Sequence, residues 1–443
     1  MSRHNKLLYP FLFVLMLMSI SFPNVTQAQQ VQGLKEIIQI GLDNNLNIAI
    51  TKIAKERATI NTGKGAAGML PSVNLDASGS YAINNANQVF LDGRENSIKG
   101  GTNLSLNGGV RMDWTIYDGK RMFARKDILD IENDIAHINY LNQQLVLKAQ
   151  ITELYELMVL QKRHIAILDE NIDYLSDFLE LTKAKLDIGS GTKLDVLQAN
   201  TDLNELTNNR DLMVLQYEVT QTELNTLLHR DANEPIQVDT QFLVVNKNID
   251  PAFWEENARK NNLDLLSARK QNEITLKQVD LAKGGKLPQV NLNAGLNYGF
   301  LNSTTGFLVS NIAYGPYLGV TANYNLYDGK RVERENQIAQ LNAMEAKLST
   351  ETLTKSIEHE LQTEQQNYNF KQALYNRELE NLDMAKENFD LAQQLYTSGR
   401  ITQFELRQVF LQQLSINQRL IQAEYDKIMA YVRLMQLSGQ DWF

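Results

Sequence analysis

The 443-residue sequence contains no cysteine. That excludes disulfides, thiolate metal sites, thiol nucleophiles and an acylated cysteine anchor. Proline is scarce, with seven residues in all, and most lie outside the periodic stretches, which leaves room for very long uninterrupted helices. Positive charge is in deficit. Lys and Arg number 43 against 52 Asp and Glu, a net charge of −9, which speaks against nucleic acid or an anionic membrane surface as a partner. Histidine is rare too: His4, His137, His164, His229 and His359 are all there are. No two of the last four fall within one helical turn. No Ser-His-Asp order, zinc spacing or phosphate-binding loop accompanies them, so an enzyme is disfavoured and neither cofactor nor metal is expected.

Long apolar runs are missing as well, apart from Leu7 to Ile20, which follows Arg3 and Lys6 and precedes Thr26-Gln27-Ala28. This reads as a signal peptide, residues 1–28, cleaved after Ala28. The run is shorter than the ~20 apolar residues of a spanning helix, and the mature chain is expected to lack a helical membrane anchor.

What the sequence does have is a repeat. Tyr117-Asp118-Gly119-Lys120-Arg121 returns as Tyr327-Asp328-Gly329-Lys330-Arg331, 210 residues on. Each copy closes an alternating stretch and opens a long helical one. After Pro71, the residues Val73, Leu75, Ala77, Gly79, Tyr81 and Ile83 alternate with polar ones. A polar segment from Asn85 to Gly101 reads as a loop, and alternation resumes from Leu104 to Ile116. The second half repeats this after Pro288, with Val290 to Phe300 and then Leu318 to Leu326. The polar faces are rich in Asn, Ser, Thr and Gly, and aromatics stand near the strand ends at Trp114, Tyr117, Tyr324 and Tyr327. A half-buried soluble sheet is one reading; an outer-membrane barrel with its aromatic girdle is the favoured one.

Asp118 and Asp328 are placed to cap the helices that follow. Arg121 to Ile188 and Arg331 to Ser398 contain no proline or glycine, so each makes a rod about 100 Å long. Ile165, Leu168, Ile172, Leu175 and Leu179 step by 3 and 4, a coiled-coil seam. Gly189-Ser190-Gly191 and Ser398-Gly399 end the rods, and returning helices follow from Leu194 to Leu228 and from Gln403 to Leu437. His229 to Asp250 is a non-helical strap. Gln32 to Ala67 and Ala252 to Lys283 are expected as single helices. The glycines of Gly63-Lys64-Gly65-Ala66-Ala67-Gly68 fit a dinucleotide fingerprint, but helix precedes them and strand follows, the reverse of what that site needs. They read as a helix exit.

Four strands cannot close a membrane barrel, whose smallest members have eight, and an open sheet would leave bare edges in lipid. Closure demands several chains, and three would give twelve strands around a polar lumen. A purely structural or adhesive periplasmic coiled coil remains as the alternative; it accounts for the rods and leaves the strands without a role.

The order of signal peptide, helix, Leu-Pro, two strands, Tyr-Asp-Gly-Lys-Arg, long helix, glycine turn and Leu-Asp-Val-Leu-Gln-Ala, with its second copy, resembles the TolC-like outer-membrane efflux proteins. The likeness covers essentially the whole mature chain, and Gly189 to Ala199 (GSGTKLDVLQA) is its most specific part. It implies a mixed α and β fold: a trimeric outer-membrane β-barrel, four strands per chain, continuous with a long periplasmic α-helical barrel. The two internal repeats would be residues 29–231 and 252–443, joined by an equatorial strap at 232–251. It implies a homotrimer in the outer membrane of a Gram-negative bacterium, working with a periplasmic adaptor and an inner-membrane transporter that delivers the substrate. In such proteins acids after the second-half glycine turn ring the periplasmic entrance. Here those positions are Glu405 and its first-half counterpart Asp195, while Gln408 and Gln198 stand where a second acid is carried. Arg400 and Arg407 are placed to pair with acids of the neighbouring turn and hold the end shut. The turns at Gly189, Gly191 and Gly399 are the expected adaptor-docking points. Asp195 and Glu405 equally suit the first turn of a helix, where the dipole favours an acid.

Overall fold

A computed structural model of the chain describes residues 32–245, 251–305 and 308–442. The leader and the end of the strap at 246–250 lie outside them. Twelve elements follow in order among the described residues: α1 (Leu34–Asn44), α2 (Leu46–Asn61), β1 (Ser72–Val89), β2 (Glu95–Tyr117), α3 (Arg121–Asp187), α4 (Lys193–Leu227), α5 (Pro251–Asn261), α6 (Leu263–Gly284), β3 (Gln289–Ser303), β4 (Ser310–Asn323), α7 (Arg331–Thr397) and α8 (Gln403–Leu437).

The strands form one antiparallel sheet in the order β1-β2-β3-β4. Register joins Leu75 to Val110, Val110 to Leu296 and Leu296 to Pro316, which puts the alternating apolar residues on one face. No layer covers that face: Leu75, Leu318 and Val320 are 81%, 74% and 66% exposed. The other face is concave and polar, lined by Asp76, Ser78, Ser105, Asn107, Arg111 and Asn297 among others, with Arg111 paired to Asp113 at 3.0 Å and to Asp76 at 3.5 Å. β1 and β4 each have one neighbour, so both outer edges are open.

The first hairpin is longer than the alternation predicts. The expected loop from Asn85 to Gly101 is mostly strand, with Ala86 opposite Ile98 and Val89 opposite Glu95. The turn itself is short, closed by Phe90 N–H donating to Arg94 O at 2.8 Å, with Gly93 at φ +81°. Ladder hydrogen bonds come from the backbone and do not need an apolar face. The polar run therefore extends the ribbon beyond the apolar band, bulging at Asn84.

Both strand-to-helix corners use the same backbone. Gly119 and Lys120, and again Gly329 and Lys330, adopt positive φ. The aspartates cap from just ahead of the helix: Asp118 accepts from Met122 N–H at 2.9 Å, and Asp328 accepts from Arg331 and Val332 N–H at 3.1 and 3.0 Å. The two 67-residue rods begin here.

The two expected single helices are each broken once. Asn45 and Asn262 take extended dihedrals, and their side-chain oxygens accept from Ile48 N–H and Leu265 N–H of the helix that follows. Their amide groups donate to Leu227 O and Leu437 O, both at 2.9 Å. A side chain that caps one helix and ties off the end of another costs the helix its continuity and gains two partners for buried backbone.

Halfway along the rods lies the main core. Tyr155, Met158 and Val159 of α3 meet Leu224 and Leu228, Ile428 and Leu434 of α8, and Ile236, Val238 and Phe242 of the strap. Polar ties fasten the strap: Lys162 Nζ donates to Val238 O at 2.6 Å, Asp239 N–H to the Tyr155 hydroxyl at 3.1 Å, and the Arg163 guanidinium stacks over Phe242. Glu156 is enclosed here, and burial pushes its carboxyl up to about 7. No helix among the described residues is long and apolar enough to cross a membrane.

Candidate functional site

The far ends of the rods carry the predicted site residues. In the first tip Gly189, at φ +76°, lets the chain reverse, and Ser190 and Gly191 N–H both donate to Lys185 O, at 2.9 and 3.0 Å. In the second, Gly399 at φ +70° does the same, with Arg400 N–H donating to Leu395 O at 2.9 Å. A residue with Cβ would be strained at either glycine.

Each returning helix then starts with a reciprocal cap. Asp195 N–H donates to Thr192 Oγ1 at 3.1 Å, while Asp195 Oδ2 accepts from Thr192 N–H at 3.0 Å. Glu405 and Thr402 do likewise, at 3.3 and 2.7 Å. The acids therefore have a local task beyond the helix dipole. Thr-x-x-Asp and Thr-x-x-Glu ahead of an apolar run is the sequence signature of this cap, and reading the acids only as charges passes over it. The N–H of Thr402 also holds the Glu405 carboxyl below the usual range. Glu405 remains exposed, so its charge stays in contact with solvent.

The arginines part company. Arg400 is exposed and makes no ion pair among the described residues. Arg407 reaches across from α8 to α4 and grips Asp202 with both arms of its fork, Nε to Oδ2 at 2.6 Å and Nη2 to Oδ1 at 2.9 Å. Its partner is thus an acid of the other hairpin in the same chain, seven residues past Asp195. Gln198 donates to the same carboxylate at 2.9 Å, and Gln403 bridges the hairpins through Asp195 O at 2.9 Å. Gln408 is exposed and joins neither contact. Asp202 and Gln403 are the residues sequence reasoning missed. Asp202 lies 205 positions from Arg407, and nothing in one dimension pairs them.

Beneath this tie sits a small aromatic plug. Tyr174 stacks on Phe410 at 5.2 Å and meets Phe389 edge-on at 5.4 Å. Leu168, Leu175, Leu206 and Leu414 complete the cluster, so part of the predicted seam is buried here. Lys185 caps the Tyr396 ring at 4.0 Å. Among the described residues no group of three or more His, Asp or Glu side chains is placed to hold a metal.

The family model of outer membrane efflux proteins matches residues 37–228 and 254–440. The outer membrane protein TolC of Vibrio cholerae serotype O1 is 20% identical over 423 residues, 95% of this chain and 94% of that protein. Among solved structures, the CmeC outer membrane channel of Campylobacter jejuni superposes with a TM-score of 0.76 at 15% identity, over 92% of this chain and 85% of that one. The outer membrane protein VceC of Vibrio cholerae gives 0.75 at 15% identity, over 93% and 97%.

Proposed function

The chain belongs to the outer membrane efflux protein family, and from that premise we propose how it works: as a homotrimeric duct, passive in itself, shut at its helical tip. A periplasmic adaptor and an inner-membrane pump engage it there. The family's role is that of an efflux channel rather than an enzyme, with the sheet in the outer membrane and the helices in the periplasm.

The observation that carries the proposal is the open sheet. Its apolar face is bare, its concave face is polar and both edges are unpaired. In lipid each unpaired backbone group costs several kcal/mol, so the edges must meet other copies, and three copies supply twelve strands. The repeats divide the chain at 29–231 and 252–443, with the strap at 232–251 between them.

At the tip, the Arg407–Asp202 fork ties the two hairpins of each protomer together. Glu405 and Asp195 supply carboxylates at the mouth, and Gln408 and Gln198 leave a second acidic ring unfilled. Arg400 is free to meet an acid of a neighbouring turn. The turns at Gly189, Gly191 and Gly399 are the outermost points of the rods and form the docking edge for the adaptor.

Planar-bilayer recording of the purified protein tests the gate. Arg407→Ala leaves Asp202 with the Gln198 amide alone, and because the arginine is partly solvent-exposed the loss falls short of what an enclosed pair costs. Single-channel conductance is expected to rise well above that of the parent. Unchanged conductance in a trimer of normal mass would remove the fork from the gate.

A further inference from the structure

The four strands carry few charges, and the few are not spread out. Asp76, Glu95, Lys99, Arg111 and Asp113 are the only charged residues in them, and β3 and β4 have none. Glu95 and Lys99 lie past the bulge at Asn84 and Ala86, on the extension of the first hairpin. The other three sit together where the strands meet the helices. Asp76 is four residues from the start of β1, and Asp113 is four from the end of β2.

All three stand on the concave polar face. Register puts Ser72 opposite Asp113, Asn74 opposite Arg111 and Asp76 opposite Gly109, and alternate residues of a strand share a face. Arg111 lies between the acids, 3.0 Å from Asp113 and 3.5 Å from Asp76. Asn293 of β3 donates to the other oxygen of Asp113 at 2.6 Å. The wall beside them is flat, with Gly109 opposite Asp76 and Gly295 opposite Arg111. A Cβ on Gly295 would come within 2.2 Å of Val110 O and 2.9 Å of the Tyr317 hydroxyl, so that position has no room for a side chain. The charged side chains stay open to solvent: Asp76, Arg111 and Asp113 are 58%, 49% and 39% exposed. Exposed ion pairs add little to stability, and the backbone ladder already joins β1 to β2. Holding the sheet together does not account for them. From Ser78 to Asn84, and across β3 and β4, the same face carries neutral side chains only.

We propose that Asp76, Arg111 and Asp113 form a charge belt at the inner end of the barrel, two acids against one arginine in each chain, which makes the barrel discriminate between cations and anions. The belt is separate from the acids at the helical tip, and it rests on the reading of the concave face as the lumen of a twelve-stranded duct. Side chains on the lumen face tune what a barrel passes, and rings of charge select by sign. Twelve strands about 4.8 Å apart and tilted about 40° close at a radius of roughly 12 Å. The Debye length is about 30 Å at 0.01 M salt and about 3 Å at 1 M. The belt's field therefore spans the lumen in dilute salt and is confined to the wall in concentrated salt, so the selectivity it confers fades as salt rises.

The test is the reversal potential of the purified protein in planar bilayers under a KCl gradient, in dilute and in concentrated salt. Arg111→Gln leaves two acids per chain and is expected to move the reversal potential toward that of potassium. Asp76→Asn with Asp113→Asn leaves the arginine alone and is expected to move it the other way, toward that of chloride. Both shifts are expected to shrink in concentrated salt, and to persist on a Glu405→Gln background, whose own effect arises at the far end of the rods. Loss of a merely structural contact would disturb both variants alike and give no shifts of opposite sign. Trimer mass in detergent checks assembly, and if one variant fails to assemble the sign of the other decides. Trimeric channels whose reversal potential stays at the parent's value in both variants, or moves the same way in both, overturn the belt and leave the duct standing. A parent that conducts no ions overturns both.

Discussion

The belt and the tip are built from the same two helix pairs, α3 with α4 and α7 with α8, yet they are held together in different ways. At the belt a strap without helix closes over the rods, Ile236 and Val238 fill the space beneath it, and the fully buried Tyr155, Met158, Leu224 and Leu228 form one continuous core. At the tip the cluster has only five buried residues, Leu168, Leu175, Leu206, Phe410 and Leu414, and the Arg407 fork and the Gln403–Asp195 contact join the hairpins. Regions with few buried contacts open at lower free-energy cost than the core. The proposed opening of the tip draws on this inequality: apolar burial holds the belt, and a polar tie holds the end proposed to part.

The largest expected effect lies at the belt. Met158→Ala removes a side chain with no exposure and should cost on the order of 2–5 kcal/mol, read as a lower midpoint in denaturant unfolding. The equivalent truncation at the tip, Leu414→Ala, should cost less and leave the belt's unfolding transition in place. A tip truncation as costly as the belt's would break the comparison.

Next comes Glu156. Its carboxyl is raised to about 7 by burial, well above an ordinary glutamate, so between those values the folded chain binds more protons than the unfolded one. The sign follows: this group's contribution to stability is greatest in acid and falls as pH rises toward 7 and beyond. Replacing it with glutamine, which can still accept from Leu243 N–H, should raise the unfolding midpoint at pH 8, by up to ~3 kcal/mol in free energy, and change little at pH 5. A constant difference across that range would show that the belt's stability is not coupled to this proton.

The smallest effect is at the mouth. Glu405→Gln keeps an acceptor for Thr402 N–H, since glutamine also completes a capping box, and removes only the charge. Tip stability should hold while cation selectivity in bilayers declines modestly. Unaltered selectivity would leave Glu405 with its capping role alone.

How much was legible follows from how local each feature is. The strand alternation, the Tyr-Asp-Gly-Lys-Arg corners and the glycine turns are written in adjacent residues, and they stand where the periodicity puts them, apart from the longer first hairpin and the fourth strand, which runs from Ser310 to Asn323 and leaves Tyr324 and Leu326 outside it. The helix breaks at Asn45 and Asn262 were not legible, because each depends on a carbonyl more than 170 residues away. Within the tip, the glycines were found from their spacing, and the capping threonines could have been found from theirs. Asp202 could not, for its meaning comes only from Arg407.

By itself, then, the sequence determined the local geometry: which segments are strand or rod, where each reverses, that two halves repeat, and that no thiol chemistry exists. Those properties follow from backbone preference and hydrophobic period over a few residues. The tertiary structure decided which copy of each repeated contact is filled. α6 is enclosed and α2 is bare, Asp118 is buried and Asp328 is not, and Arg407 finds Asp202. Two equal halves in one chain can satisfy the contact between them only once, which is why α6 is enclosed while α2 is bare.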